Sequence, residues 1–400
     1  MALFPIMLQE GISRSVNNYI CNVQPFAFGS DDLNECSAEM AYQIANEAAN
    51  LHEMFMITDE ILAEAAMNQA DTNAFNVVNE SIFKKIGEGI KKFIDKIIAM
   101  VKGIIDRIAA FFYKMTGKTN KWLEVMKPRI EAVKKNQANY ADFTTEMLEY
   151  DEAYVTEGML KGISDMVAAF RGDIMPNESL FKNLTSALTA ARDPLKAAGV
   201  GNPDPSKDRS VQVNAAGSDD PRIKNAETVA KDMATDLTKF QDGWAKRLAG
   251  YMQTSATSDK EAIWTECIRK AHKGNNEKHD VKVGGRVDEM LSAIEKSKET
   301  INNLKKAYED HLKTLTDFKK TLESNEFFEI EGRADVPKNV TSAVQSAVNA
   351  YSENLTKKIS LYESALNSAR DKNTGLVQQM AQEYMTVLTK FSGYKSRKAD

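Results

Sequence analysis

Apolar residues recur every seven positions in at least four separated stretches of this chain, and polar residues fill the positions between them. From residue 81 to 118, Phe83, Ile90, Ile97, Ile104 and Phe111 form one row, with Ile94, Val101, Ile108 and Met115 in a second row displaced by four. On an α-helix the two rows are neighbours on one face. Ile98, Ile105 and Phe112 add a third row, which widens the face beyond the narrow seam of a two-stranded coiled coil. The spacing predicts an amphipathic helix with most of its lysines outside the apolar stripe. Gly87, Gly89 and Gly103 each lower helix propensity by up to about 1 kcal/mol relative to alanine, so the helix needs a surface to cover it.

The same period predicts helices elsewhere. Residues 38–67 place Met40, Ile44, Ala48, Leu51, Phe55, Ile61 and Leu62 at approximately helical spacing. Trp122, Val125, Met126, Ile130 and Val133 mark a further segment, in which Pro128 is expected at a kink or boundary. Met147, Leu148, Val155, Met159, Leu160, Ile163, Val167 and Phe170 mark another, interrupted by Gly158 and Gly162. A shorter helix is expected after Pro176, with Leu180, Phe181, Leu184 and Leu188 on one side. Residues 193–222 hold four of the nine prolines and read as a linker or long loop. Beyond them Ala230, Leu237, Trp244 and Tyr251 are spaced by seven. Ser258 and Glu261 have capping-box spacing, Gly274 is a helix stop, and residues 273–286 read as a second loop.

The last third predicts a long helical hairpin. Val287, Ile294, Ile301, Tyr308, Leu315 and Leu322 hold one register, with Met290, Leu304 and Phe318 at companion positions. Ser297, His311 and Asn325 fill the other companion positions, so several neighbouring helices are expected rather than a simple zipper. After a loop with Gly332 and Pro337, the row Val348, Leu355, Tyr362, Ala369 and Leu376 leads to Met380, Tyr384, Val387 and Phe391. Two long helices joined by a short loop pack antiparallel. Residues 325–330 are the one credible strand, and a lone strand makes no sheet. The fold expected is all-α, with elongated multi-helix bundles and a long C-terminal antiparallel hairpin. Its regions are 1–80, a partly helical leader; 81–118, the amphipathic helix; 119–192, helical; 193–222, the linker; and 223–400, a C-terminal bundle.

Charge sharpens this division. Residues 1–80 carry twelve acids and one base, a net charge of −11, while residues 81–118 carry nine bases and three acids, a net charge of +6. The formal charge of the whole chain is −5, so the remaining residues are neutral in sum. Lys96, Lys102, Asp106 and Arg107 break the greasiest stretch, which excludes a spanning helix there, and Arg14 stands where a signal core would continue. Cys21, Cys36 and Cys267 are too few and scattered for a disulfide framework, and free thiols in a reducing compartment are expected.

Motifs for catalysis are weak. No histidine stands three residues after a glutamate, and His52-Glu53 lacks the second histidine of a zinc-protease helix. Gly199-Val200-Gly201 continues to Asp204, where a dinucleotide fingerprint needs its third glycine. Asp142, Glu146, Glu149 and Glu152 are read as a solvated acidic helix face. The expectation is a non-enzymatic protein with no cofactor, metal or small-molecule substrate. The candidate interaction residues are Phe83, Lys84, Lys85, Ile90, Lys91, Lys92, Ile97, Val101, Ile104, Arg107, Ile108, Phe111 and Phe112. Two coverings for them are open. One is a bundle core, with the acidic leader as an electrostatic partner that masks the cationic helix. The other is a membrane surface, in which the helix lies in the interface and binds or perturbs lipid. Nucleic-acid contact through residues 81–118 is a further candidate, although the sequence pI near 5.7 denies the whole chain a broad basic footprint.

The acidic leader, then Glu80-Ser81-Ile82-Phe83-Lys84-Lys85-Ile86-Gly87-Glu88-Gly89-Ile90-Lys91-Lys92-Phe93, then a helical remainder, resembles the virion structural and internal head proteins of large tailed bacteriophages. The resemblance covers about the first 120 residues, in pattern rather than alignment. It implies a structural or packaged virion component, present in the host cytoplasm during assembly, that meets other virion proteins and copies of itself. It also implies removal of the leader after a glutamate in Ser-x-Glu or Leu-x-Glu contexts. Leu8-Gln9-Glu10, Ser37-Ala38-Glu39 and Leu62-Ala63-Glu64 have that form, making Glu10, Glu39 and Glu64 the candidate processing sites.

Overall fold

The computed structural model describes residues 75–174, 220–256, 260–324 and 338–395, with side chains in the first helix from residue 88 onward. The chain divides after Thr72, and the second unit, Asn73–Asp400, contains all of these residues. The helical stretch at 38–67, Cys21, Cys36, the segment after Pro176, most of the 193–222 linker, Ser258 and the 325–330 strand lie outside them.

Among the described residues there are six α-helices: α1 (Phe75–Asn136), α2 (Met159–Ile174), α3 (Pro221–Tyr251), α4 (Lys260–Ala271), α5 (Val287–Ser324) and α6 (Lys338–Ser392). The fold is all-α. The expected sevenfold rows form its core: Ile294, Ile301, Tyr308 and Leu315 of α5 are fully buried, as are Tyr362, Ala369, Met380, Tyr384 and Phe391 of α6. Burying one such large side chain contributes roughly 1.5–3 kcal/mol.

Side-chain contacts give the helix directions. Tyr308 Oη donates to the Leu366 carbonyl at 2.6 Å, and His311 meets Glu363, so α5 and α6 run antiparallel as the hairpin pattern predicts. Lys134 pairs with Asp288 and Lys319 with Asp95, which sets α1 antiparallel to α5. Trp122 Nε1 donates to Thr389 Oγ1 at 3.1 Å, placing α1 beside the C-terminal part of α6. Asn354 and Lys358 bind Asp236, placing α3 beside its N-terminal part. Each of the other five helices contacts α6.

Several local expectations are corrected. Pro128 is not at a helix boundary, because it lies inside the 62-residue α1, which continues to Asn136. Proline removes the N–H that would bond the Glu124 carbonyl; both residues are exposed, so the released carbonyl can be hydrated. Val125, expected to face inward, is 48% exposed. Residues 273–286 are not all loop, and Met147 is not helical: β1 (Thr144–Met147) pairs antiparallel with β2 (His279–Lys282). These four-residue strands are too short and polar to show alternation, and only Met147 and Val281 are buried in them.

Other signals translate directly. Asp220 caps α3 by accepting from the Arg222 amide at 2.8 Å, with Pro221 in the first turn, so the linker ends in a helix start. Gly274 adopts φ of +84° and donates its N–H to the Arg269 carbonyl at 2.7 Å, closing the end of α4. Gly162 is needed for another reason: a Cβ there would strike the Tyr251 carbonyl and the Met252 side chain.

Candidate functional site: the cationic helix

The apolar rows of α1 face the bundle. Ile97, Val101 and Ile104 have no exposed surface, Ile90 and Ile108 have 2% and 3%, and Ile94 has none. Phe111 and Phe112 are half-buried, as are Ile98 and Ile105. The cover is supplied by α5 and α6. Phe83, Lys84 and Lys85 belong to α1, but their side chains lie outside the described set, as do Glu10, Glu39 and Glu64 and the leader expected to mask this helix. An interfacial membrane helix would immerse these same apolar residues, so lipid insertion would require α1 to leave α5 and α6.

The polar side is graded. Lys92 is exposed, while Lys91 and Arg107 are half-buried. Along the flank toward α5, Lys319 holds Asp95 at 2.5 Å, Lys298 donates to Asn120 at 2.9 Å, and Lys134 holds Asp288 at 2.9 Å. Hydrogen bonding to Asp288 raises the Lys134 ammonium above its ordinary range, outweighing partial burial. Lys127 and Glu295 border a shallow groove with Leu123 and Pro128.

Two polar clusters escape sequence reasoning. His311 Nε2 and Glu363 Oε1 are 2.6 Å apart, and both side chains have no exposed surface. The Phe170 ring meets His311 edge-on at 4.7 Å, while His311 Nδ1 and Glu363 Oε2 have no hydrogen-bond partner. In the second cluster Asp173 accepts from Arg247 and Tyr362, each at 2.5 Å. Beside it, Asp236 accepts from Lys358 at 2.5 Å and Asn354 at 2.8 Å. Partial burial opposes ionisation of Asp236, but these two donors prevail and hold its pKa below the ordinary 3.8. The signal for the first cluster was the polar break at His311 in an apolar row; Glu363 gave none.

The expected acidic helix face is corrected. Asp142 lies in a 3-10 turn, Glu146 in β1, and Glu149 in the following loop. Glu149 and Glu152 converge on Arg286, at 2.7 and 3.6 Å, and Glu149 also approaches His279 at 3.3 Å. Burial opposes ionisation of Glu149, yet Lys273, His279 and Arg286 together lower its pKa. Burial pushes the Cys267 thiol up to about 11, so it stays protonated near neutrality. Among the described residues no three His, Cys, Asp or Glu side chains are grouped to hold a metal, and no helix is long and apolar enough to cross a membrane. Comparison with family models, curated proteins and solved structures gives no match.

Proposed function

We propose that this protein is a non-enzymatic structural or packaged component of a tailed-phage virion that assembles through helical contacts with other virion proteins and with copies of itself. The observation that carries the reading is the joining of an acidic leader to a 62-residue cationic helix built into a bundle with α5 and α6. Long helices locked by sevenfold rows suit a load-bearing or space-filling part, since their packing is spread over many equivalent layers. The resemblance to virion structural and internal head proteins supplies the particle. It also supplies the processing step, in which cleavage after Glu10, Glu39 or Glu64 removes part of the −11 leader.

Mass spectrometry of particles purified from the phage that carries this coding sequence tests both parts. Peptides from α1 to α6 should co-purify with the particle, and a new N-terminus should follow one of the three glutamates. Recovery only from the soluble fraction of infected cells would overturn the virion reading, while particles holding the uncut chain would overturn processing alone.

A further inference from the structure

Most cationic residues of α1 from residue 88 onward share one side of the helix, while Lys91, Lys102, Lys127 and Lys134 lie outside it, beyond the acids. At about 100° per residue, the exposed Lys92, Lys118, Lys121, Arg129 and Lys135 fall within a sector of about 120°. Lys96, Arg107 and Lys114 fall in the same sector and have interactions of their own. The acids of the helix between residues 88 and 136, namely Glu88, Asp95, Asp106, Glu124 and Glu131, all lie outside it, in a narrow strip beside it. Asp95 in that strip is held by Lys319 of α5. The result is an acid-free cationic track along a continuous helix, extending about 65 Å from Lys92 to Lys135 at 1.5 Å per residue.

We infer that this track docks duplex nucleic acid through its phosphates, without reading base sequence. A duplex is a linear polyanion with one charge per roughly 1.7 Å of axis, so about 65 Å of track lies along about 19 base pairs. The match is one of sign and of linear extent. A lipid surface fits less well, because Ile97, Val101 and Ile104 are buried in the bundle. Tyr113 and Val125 are the large apolar side chains left exposed among the described residues, and they do not form an immersible face. The inference is independent of the virion reading: either can fail while the other stands.

Fluorescence anisotropy of the full chain with a labelled 30-base-pair duplex tests it. If Lys92, Lys118, Lys121, Arg129 and Lys135 each neutralise one phosphate, the slope of log affinity against log salt is about −4.5, so a fourfold rise in salt weakens binding about 500-fold. The triple variant Lys118→Gln, Lys121→Gln, Arg129→Gln should reduce the slope to about −1.8 on duplexes of unrelated sequence. Replacing Lys118 and Lys121 by Arg should preserve it. Neutralising the exposed Lys231, Lys239 and Lys246 of α3 should leave it unchanged. Circular dichroism confirms that each variant is folded. Absence of duplex binding at low salt, equal loss in the α3 variant, or binding to phosphatidylserine vesicles in preference to the duplex would each overturn the inference.

Discussion

His311 and Glu363 are each fully enclosed, one from α5 and one from α6, and a charged or polar group left alone there has no route to solvent. Removing one partner should therefore cost far more than removing both. Glu363→Ala alone is expected to destabilise the bundle by about 3–5 kcal/mol, whereas His311→Leu with Glu363→Met should be close to neutral. Urea unfolding of the two single variants and the double variant measures this, and additive losses would refute the coupling. Asp236 behaves differently because its side chain is 46% exposed. Its carboxyl is lowered in the fold, so the stabilisation is present above the ordinary value of 3.8 and is lost as pH falls through the lower folded value. Asp236→Asn should cost about 1 kcal/mol at pH 7, with water screening the pair, and the gap from the parent should narrow as pH falls below 3.8. Thermal melts across that range check the sign.

At the level of single helices, the seven-residue register was legible because burial repeats faithfully along α5 and α6. Ile301 and Leu315 have no exposed surface, so Ile301→Asp or Leu315→Asp places an unpaired carboxylate in the core. A loss of several kcal/mol is expected in either variant, and unchanged melting in both would show that the face is misassigned. What was not legible depends on solvent geometry or on partners distant in sequence. Pro128 has the same local signature whether it breaks a helix or stands on a hydrated outer turn. Replacing it with alanine should restore one backbone hydrogen bond and stabilise α1 by up to about 3 kcal/mol, read as a higher melting temperature. The β1–β2 pair joins residues 144–147 to 279–282, and nothing within either tetrapeptide announces the other. Glu363 was likewise invisible, since its burial depends on α2 and α5 crossing α6 at that layer.

Across Asn73–Asp400, contacts radiate from α6 rather than following chain order. Its early part receives α3 through Asn354 and Lys358, its middle receives α2 and α5 through Tyr362 and Glu363, and its end receives α1 through Thr389. A core shared in this way should not come apart helix by helix. Far- and near-ultraviolet circular dichroism of the described region should report one coincident thermal transition, dominated in the far-ultraviolet by helix. Separate transitions would mean that α3 and α1 belong to independent cores.

The position of α6 in the chain also bears on synthesis. Of the six helices it leaves the ribosome last, and at about 5–20 residues per second it follows α1 by many seconds. Until then Trp244 and Tyr308 lack the Tyr362 ring and the Leu366 carbonyl that meet them in the finished fold. A ribosome stalled before residue 338 would hold a nascent chain of well-formed helical segments with their greasy sides open, a natural client for a chaperone. Emergence of α6 is the event that allows these segments to close together.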